Sequence, residues 1–493
     1  MSTKERRSTM AYRHGNRYQM TLLPQSIEEY VSEDAPVRAY DAFVEALDFN
    51  ALGIELNQHK VGNSEYDPKS MLKLLVYGYS YGVKSSRKLE REVHNNISFI
   101  WLMGGLKPDH KTIAEFRRKN KKALKKVLKQ CARLCIKLNL IAGNVLFVDG
   151  TKIRANASCS RTHEKAWYEE QLQEIDRRIE ALLQECEVVD QEEKDLGSFV
   201  AMDKELAKAE TLKSTIKDVL REFEATERKK INQTDPDCAN MSSIQGKHAS
   251  YNVQSVVDDK NGLIVHAEAV NDATDLNQFA RQVESANEVL EEPCEAACGD
   301  AGYADTEELE KIDAQSIKVV VPSQRQALHE GEKPFSKSEF TYDSDKNCYY
   351  CPKGHTLRHV GTEKKTGRSR YQIIDKQLCF NCQHWGQCTT SRTCGRRIVR
   401  LPNEAVREKL EAQYEEAASQ EIYSRRKARA EHPFGHIKRN LKTDGFLLRG
   451  LNGVQAETSI LATCFNIARM ITLLGGVPKL IQRLTARTVA YSA

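Results

Sequence analysis

Apolar residues recur every three to four positions through residues 36–140, at Met71, Leu74 and Leu75 and again at Ile113, Phe116, Leu124, Val127 and Leu128. That spacing lines one face of successive helices and predicts an all-helical region. Asp67-Pro68 suits a helix start and Asp109 can cap another, because an aspartate accepts the unpaired N–H groups of a first turn. Past Gly143 the pattern changes to short apolar runs. Val145-Leu146-Phe147-Val148 reads as a strand ending on Asp149-Gly150, and residues 251–257, 263–269, 294–298 and 317–321 read as further strands. Residues 258–262 form a hairpin-turn sequence and residues 273–290 a helical one, so the pattern predicts a mixed α/β sheet.

Two segments interrupt this order. Leu172, Ile175, Ile179, Leu182 and Cys186, and then Leu212, Ile216, Val219 and Phe223, step by three and four residues, which predicts an antiparallel helical hairpin over residues 160–230. Residues 323–400 are expected to be loop-rich. The predicted organisation is a helical N-terminal domain over 1–140, an α/β domain over 141–475 carrying both insertions, and a tail over 476–493.

The 493 residues are too many for one small module. With 29% charged residues, a mean hydropathy of -0.59 and no apolar run near the roughly 18 residues needed to span a bilayer, a soluble protein is expected. Met1 to Gly15 is basic but has no apolar h-region, so residence in the cytoplasm is expected. The net charge of +5 is modest, and the local distribution says more. Between His110 and Lys129 nine Lys or Arg residues face only Glu115, and a second basic cluster runs from Arg425 to Lys442. Two such clusters favour a phosphate-rich partner, with Arg117 and Lys121 as candidate phosphate contacts. Cysteines in a reducing compartment remain thiols, and clustering then points to metal. Cys348-x2-Cys351 and Cys379-x2-Cys382, followed by Cys388 and Cys394, predict a structural zinc site. Four of Cys348, Cys351, Cys379, Cys382 and Cys388 would be ligands, with Cys394, His355 and His384 competing.

Asp149 and Asp300 both follow strand-like runs. Carboxylates at strand ends, joined by one from a helix, can hold two divalent ions about 3.5–4 Å apart, and magnesium suits such oxygen ligands. Pattern alone does not select the residues from 69 acidic ones. Three blocks do. Val148-Asp149-Gly150-Thr151-Lys152-Ile153, Gly299-Asp300-Ala301-Gly302-Tyr303 and Glu431-His432-Pro433-Phe434-Gly435-His436-Ile437-Lys438 resemble, in order, the catalytic blocks of bacterial insertion-sequence DDE transposases. Further likeness lies in Tyr77-Gly78-Tyr79, Pro108-Asp109-His110-Lys111-Thr112-Ile113, Tyr251-Asn252-Val253-Gln254 and Leu448-Arg449-Gly450-Leu451.

The resemblance implies an RNase H-like core, a five-stranded mixed sheet flanked by helices and preceded by an all-helical DNA-binding domain. It implies that Asp149, Asp300 and Glu431 hold two magnesium ions for DNA cleavage and strand transfer. It also implies double-stranded DNA partners, the terminal inverted repeats and the target, and a homodimer or larger synaptic complex. Tyr423, Arg426 and Lys438 correspond to the family's supporting residues, with Arg426 one position farther from Glu431 than usual and Lys427 at the usual interval. Glu431 and Lys438 are seven residues apart, on nearly one helical face, but Pro433 predicts a kink or a new helix start beside Glu431. Glu421 and Glu457 are alternative third acids. The rival readings are a transposase-derived DNA-binding protein and an RNase H-like nuclease without strand transfer.

Overall fold

The computed structural model describes residues 26–56, 65–192, 196–243, 246–328, 334–364 and 367–490. Met1 to Gly15 and the side chain of Cys186 lie outside the described residues. The main sheet is mixed α/β in setting and is built around Val145–Arg154. On one side this strand pairs antiparallel with Gly246–Asp258, which in turn pairs with Ile264–Val270 and, at its start, with Ala239–Ser243. On the other side it pairs parallel with Ala296–Cys298, and that strand pairs parallel with Lys318–Val320. The expected strands are all present, and Ala239–Ser243, which has too few apolar residues to stand out in the sequence, makes the sheet six-stranded rather than five-stranded. The hairpin turn sits where Asp258 N donates to Leu263 O, with Gly262 at φ 69 supplying the left-handed conformation such a turn needs.

Helix Leu451–Leu473 is the buried axis of the molecule, packed between Lys121–Lys137, Pro68–Ser80 and strand Ile264–Val270. Its polar side chains close backbone groups on its neighbours. Asn466 Oδ1 accepts from Ile264 N at 2.9 Å and its Nδ2 donates to Ile264 O at 2.8 Å. Gln455 makes the same two-way contact with Ala269 N and Ala267 O, and Ser459 Oγ accepts from Leu128 N. The helices before residue 140 and the sheet consequently share one hydrophobic core, and the boundary expected at residue 140 separates element types rather than cores.

Residues 476–493, expected as a tail, include helix Val477–Ala490, which packs Val477, Leu480 and Leu484 against the core beside helix Pro36–Glu45. No single helix among the described residues is long and apolar enough to cross a membrane.

Both insertions have cores of their own. Helices Lys165–Glu192 and Leu196–Ala225 form the expected hairpin, closed by Tyr168, Ile175, Ile216, Val219 and Phe223. The segment expected to be loop-rich contains a five-stranded antiparallel sheet made of Thr341–Asp343, Cys348–Tyr350, Thr356–Thr362, Ser369–Ile373 and Arg397–Arg400. Phe340, Tyr349, Leu357, Tyr371, Ile373 and Ile398 are its core. Its strands are short and its apolar residues few, which is why periodicity did not reveal it.

Asn466→Ala would leave two buried backbone groups of Ile264 unpaired, each costing about 1–3 kcal/mol. A denaturant titration should show the loss without a separate transition for the N-terminal helices. Wild-type stability would show that this bridge does not join the two regions.

Candidate active site

Phe147 and Cys298 are paired neighbours on parallel strands, which brings Asp149 and Asp300, two positions beyond each, near one another. Asp300 follows its strand, whereas Asp149, expected at a strand end, lies inside Val145–Arg154 opposite Ser255 because the strand continues past the apolar run. Asp300 also caps the turn that follows, its Oδ1 accepting from Gly302 N at 2.8 Å. The third acid comes from helix Ala417–Arg439, which continues through Pro433 without a new start, so Glu431 lies within a helix rather than before one. Asp259 anchors this helix to the sheet by pairing with Arg425 at 3.1 Å and Arg429 at 3.3 Å.

Arg426 then points among the acids. Its guanidinium lies 3.7 Å from Asp149 Oδ1, 3.9 Å from Asp300 Oδ2 and 3.6 Å from Glu431 Oε1, and its side chain is 14% exposed. The ring of Tyr423 stands 5.9 Å from its Cζ. Burial pushes the Asp149 carboxyl up to about 7; Asp300 and Glu431 add to the rise, while Arg426 opposes it. Lys438 donates to Thr151 Oγ1 at 2.5 Å, one face of a groove of about 720 Å³ that also holds Gly150, Lys152, Asn252, Asp275 and Arg439. Burial lowers the pKa of Lys438, against the attraction of Asp149.

The structure thus brings Asp149, Asp300, Glu431, Tyr423 and Arg426 together, with Lys438 beside Thr151. It leaves Lys427 exposed on the helix surface, so Arg426 occupies the central place despite its longer interval. Glu421 is exposed, and Glu457 is buried elsewhere, accepting from the Leu447 and Leu448 amides. Arg117 is the clearest correction. It is 4% exposed, donates to Lys84 O at 2.7 Å and lies 5.8 Å from the Tyr79 ring, so it is a structural arginine and not a surface phosphate contact. Lys121, on the next helix, is half-buried.

Among the expected cysteines, Cys351, Cys379, Cys382 and Cys388 line one small cavity with His355 and His384. Cys348 is a buried strand residue beside it, and Cys394 contacts Ser391 Oγ at 3.0 Å. Backbone N–H groups approach two of the cavity sulfurs, His355 N to Cys351 Sγ at 3.3 Å and Arg396 N to Cys379 Sγ at 3.5 Å. Neither here nor among the acids do three such side chains of the described residues stand in a geometry that would hold a metal ion.

Sequence reading missed the polar layer beneath Gly150. Asn252 and Gln254 both donate to Asp275 Oδ1, at 2.7 and 2.6 Å, and Tyr303 donates to Gln254 Oε1 at 2.5 Å. The available signal was the alternation of Asn252 and Gln254 with Tyr251, Val253 and Val256 in a strand otherwise suited to the core.

A carboxylate within one strand, a second just past the adjacent parallel strand, a helix-borne acid and a basic groove define an α/β protein built around an acidic centre. Residues 25–119 match the family described as Transposase domain (DUF772), and residues 350–471 match the Transposase DDE domain. Together the two matches support the assignment of the chain to the insertion-sequence DDE transposases, DNA-processing enzymes. The second match spans Glu431, Arg426 and Lys438, while Asp149 and Asp300 lie outside both. No curated protein matches the chain.

Arg426→Ala should lower DNA cleavage by roughly 100-fold or more, as loss of a buried charged donor at a reacting centre does. Lys427→Ala should leave it nearly unchanged. Initial cleavage rates on one DNA substrate compare the two, and equal effects would return the assignment to the usual interval.

Proposed function

We propose that the protein cuts and rejoins DNA at the terminal inverted repeats of its own element, with Asp149, Asp300 and Glu431 as its acidic centre. The observation that carries this reading is the convergence of three carboxylates, one within a strand, one just past the adjacent strand and one on a helix, on a single cationic group. Such a donor set suits two magnesium ions, which would activate the attacking oxygen and stabilise the leaving one. Arg426 holds the acids' mutual repulsion in check and becomes available to a phosphate when other cations take over that role. Lys438, near Thr151, is placed to neutralise the backbone of a strand lying in the groove. The strand order, three antiparallel neighbours followed by two parallel ones, supports an RNase H-like core.

In this reading the helices before residue 140 contact DNA through lysines of the basic run, the half-buried Lys121 and the exposed Lys122 and Lys126 among them. The protein works in the cytoplasm, and two ends require a homodimer or larger synaptic assembly. A nuclease that cleaves without joining shares every feature of the centre, and its products would reveal it.

Asp149→Asn, Asp300→Asn and Glu431→Gln should each abolish magnesium-dependent cleavage of terminal-repeat DNA while gel-shift affinity stays near wild type. Normal cleavage by Glu431→Gln would overturn its assignment. Cleavage without joined product in the wild-type protein would convert the reading to a nuclease.

The reading includes a structural zinc held by Cys351, Cys379, Cys382 and Cys388, since four thiols line one cavity and backbone N–H groups already face two of them. Binding would draw the four sulfurs closer than they stand. Elemental analysis of reduced, freshly purified protein should find one zinc per chain, lost in Cys382→Ser but retained in Cys394→Ser. Zinc-free protein would refute the site.

A further inference from the structure

Gly150 follows the first acid, and the reason for a glycine there is spatial. A Cβ at this position would lie 2.5 Å from Gln254 Nε2 and 2.6 Å from Asp275 Oδ1, closer than side chains approach one another. The strand backbone after Asp149 is therefore in direct contact with a polar layer made by Asn252, Gln254 and Asp275. Gln254 is also the antiparallel register partner of Gly150.

The same layer reaches the second acid. Tyr303 is 1% exposed, lies in the turn capped by Asp300, and donates to Gln254 Oε1. A Cβ on Gly302 would stand 2.8 Å from Asp300 Oδ1 and 3.7 Å from Asp275 Oδ2, so the Asp275 carboxylate also borders the Asp300 turn. Gln254 thus joins the Asp149 strand to the Asp300 turn.

A glutamine amide can face either way, and its neighbours must choose. An ionised carboxylate only accepts, so Asp275 obliges Gln254 to present Nε2 to it, which leaves Oε1 for the Tyr303 hydroxyl. Asp275 orients Asn252 by the same rule, through Nδ2 on the same oxygen.

We propose that Asp275 is a positioning residue for the acidic centre: by fixing the amide of Gln254 it ties the segment after Asp149 to the turn after Asp300, and so sets the spacing of the two acids. The proposal rests on the reading of Asp149 and Asp300 as the reacting centre. It assigns Asp275 no contact with DNA or with a bound ion.

The test uses the full-length protein, with magnesium-dependent cleavage rate, DNA affinity and melting temperature measured on each variant. Asp275→Ala should lower the cleavage rate by roughly 10- to 100-fold, the scale expected when reacting groups are misplaced, a larger factor than any accompanying change in DNA affinity. Asp275→Asn keeps an oxygen able to accept from both amides and should restore most of that rate. Tyr303→Phe removes only the hydroxyl at the far end of the link and should lower cleavage in the same selective way, which keeps the proposal testable if Asp275→Ala folds poorly. Wild-type cleavage by Asp275→Ala and Tyr303→Phe would overturn it. An Asp275→Asn protein as impaired as Asp275→Ala would overturn it too, because the charge itself would then be needed. If Asp149→Asn cleaves normally, the underlying reading fails instead; if Asp149→Asn is inactive and Asp275→Ala is not, only the present inference falls.

Discussion

Three carboxylates gathered beside one another repel, and withdrawing them from water raises the cost of keeping them ionised. In this protein that tension is concentrated on Asp149, whose carboxyl burial pushes up to about 7. Arg426, between Asp149, Asp300 and Glu431, supplies the opposing charge. The helix that carries it is held to the sheet by Asp259 through Arg425 and Arg429. Removing one partner of such an arrangement leaves an uncompensated charge, so the helix, the two strands and the acids form one interdependent unit.

Holding that unit still is the work of the rest of the core. Helix Leu451–Leu473 carries amides and hydroxyls at positions where an apolar helix would leave neighbouring backbone groups unpaired. Asn466 and Gln455 close the exposed edge of strand Ile264–Val270, and Ser459 reaches the N-terminal helices. These bonds fix the helix in register against the sheet edge, where apolar packing alone would permit sliding. The N-terminal helices and the sheet that carries Asp149 thereby share one hydrophobic core.

The insertions stand apart from this design. Each closes its own cluster of aromatic and aliphatic side chains, with Tyr168 and Phe223 in the helical hairpin and Tyr349 and Tyr371 in the small antiparallel sheet. A segment with its own core can be accommodated in a loop at little cost to the host, because loop-closure entropy grows slowly with length.

Local chemistry was legible along the chain. The apolar run before Asp149, the turn after Asp258 and most of the three- and four-residue stripes of the hairpin depend on neighbours close in sequence, and the structure has them where the pattern placed them, with Leu212 exposed instead. Blocks of resemblance pointed to Asp149, Asp300 and Glu431, because short motifs keep their residue order whatever the fold around them. Arginine roles were not legible. Arg117 and Arg426 both sit in basic runs, yet one is buried on the Lys84 carbonyl and the other faces three acids; a side chain's direction is decided by which elements pack against its helix. The same holds for Asp275, which lies in a loop and gains meaning only when Gly150, Gln254 and Tyr303 are brought to it from three separate segments. Sequence determined the elements of the main core and of the helical hairpin, through periodicity, and the acidic candidates, through motif resemblance, but not the small antiparallel sheet or the C-terminal helix. Tertiary structure alone decided which charges meet, because burial and electrostatic pairing are properties of distances between segments remote in the chain.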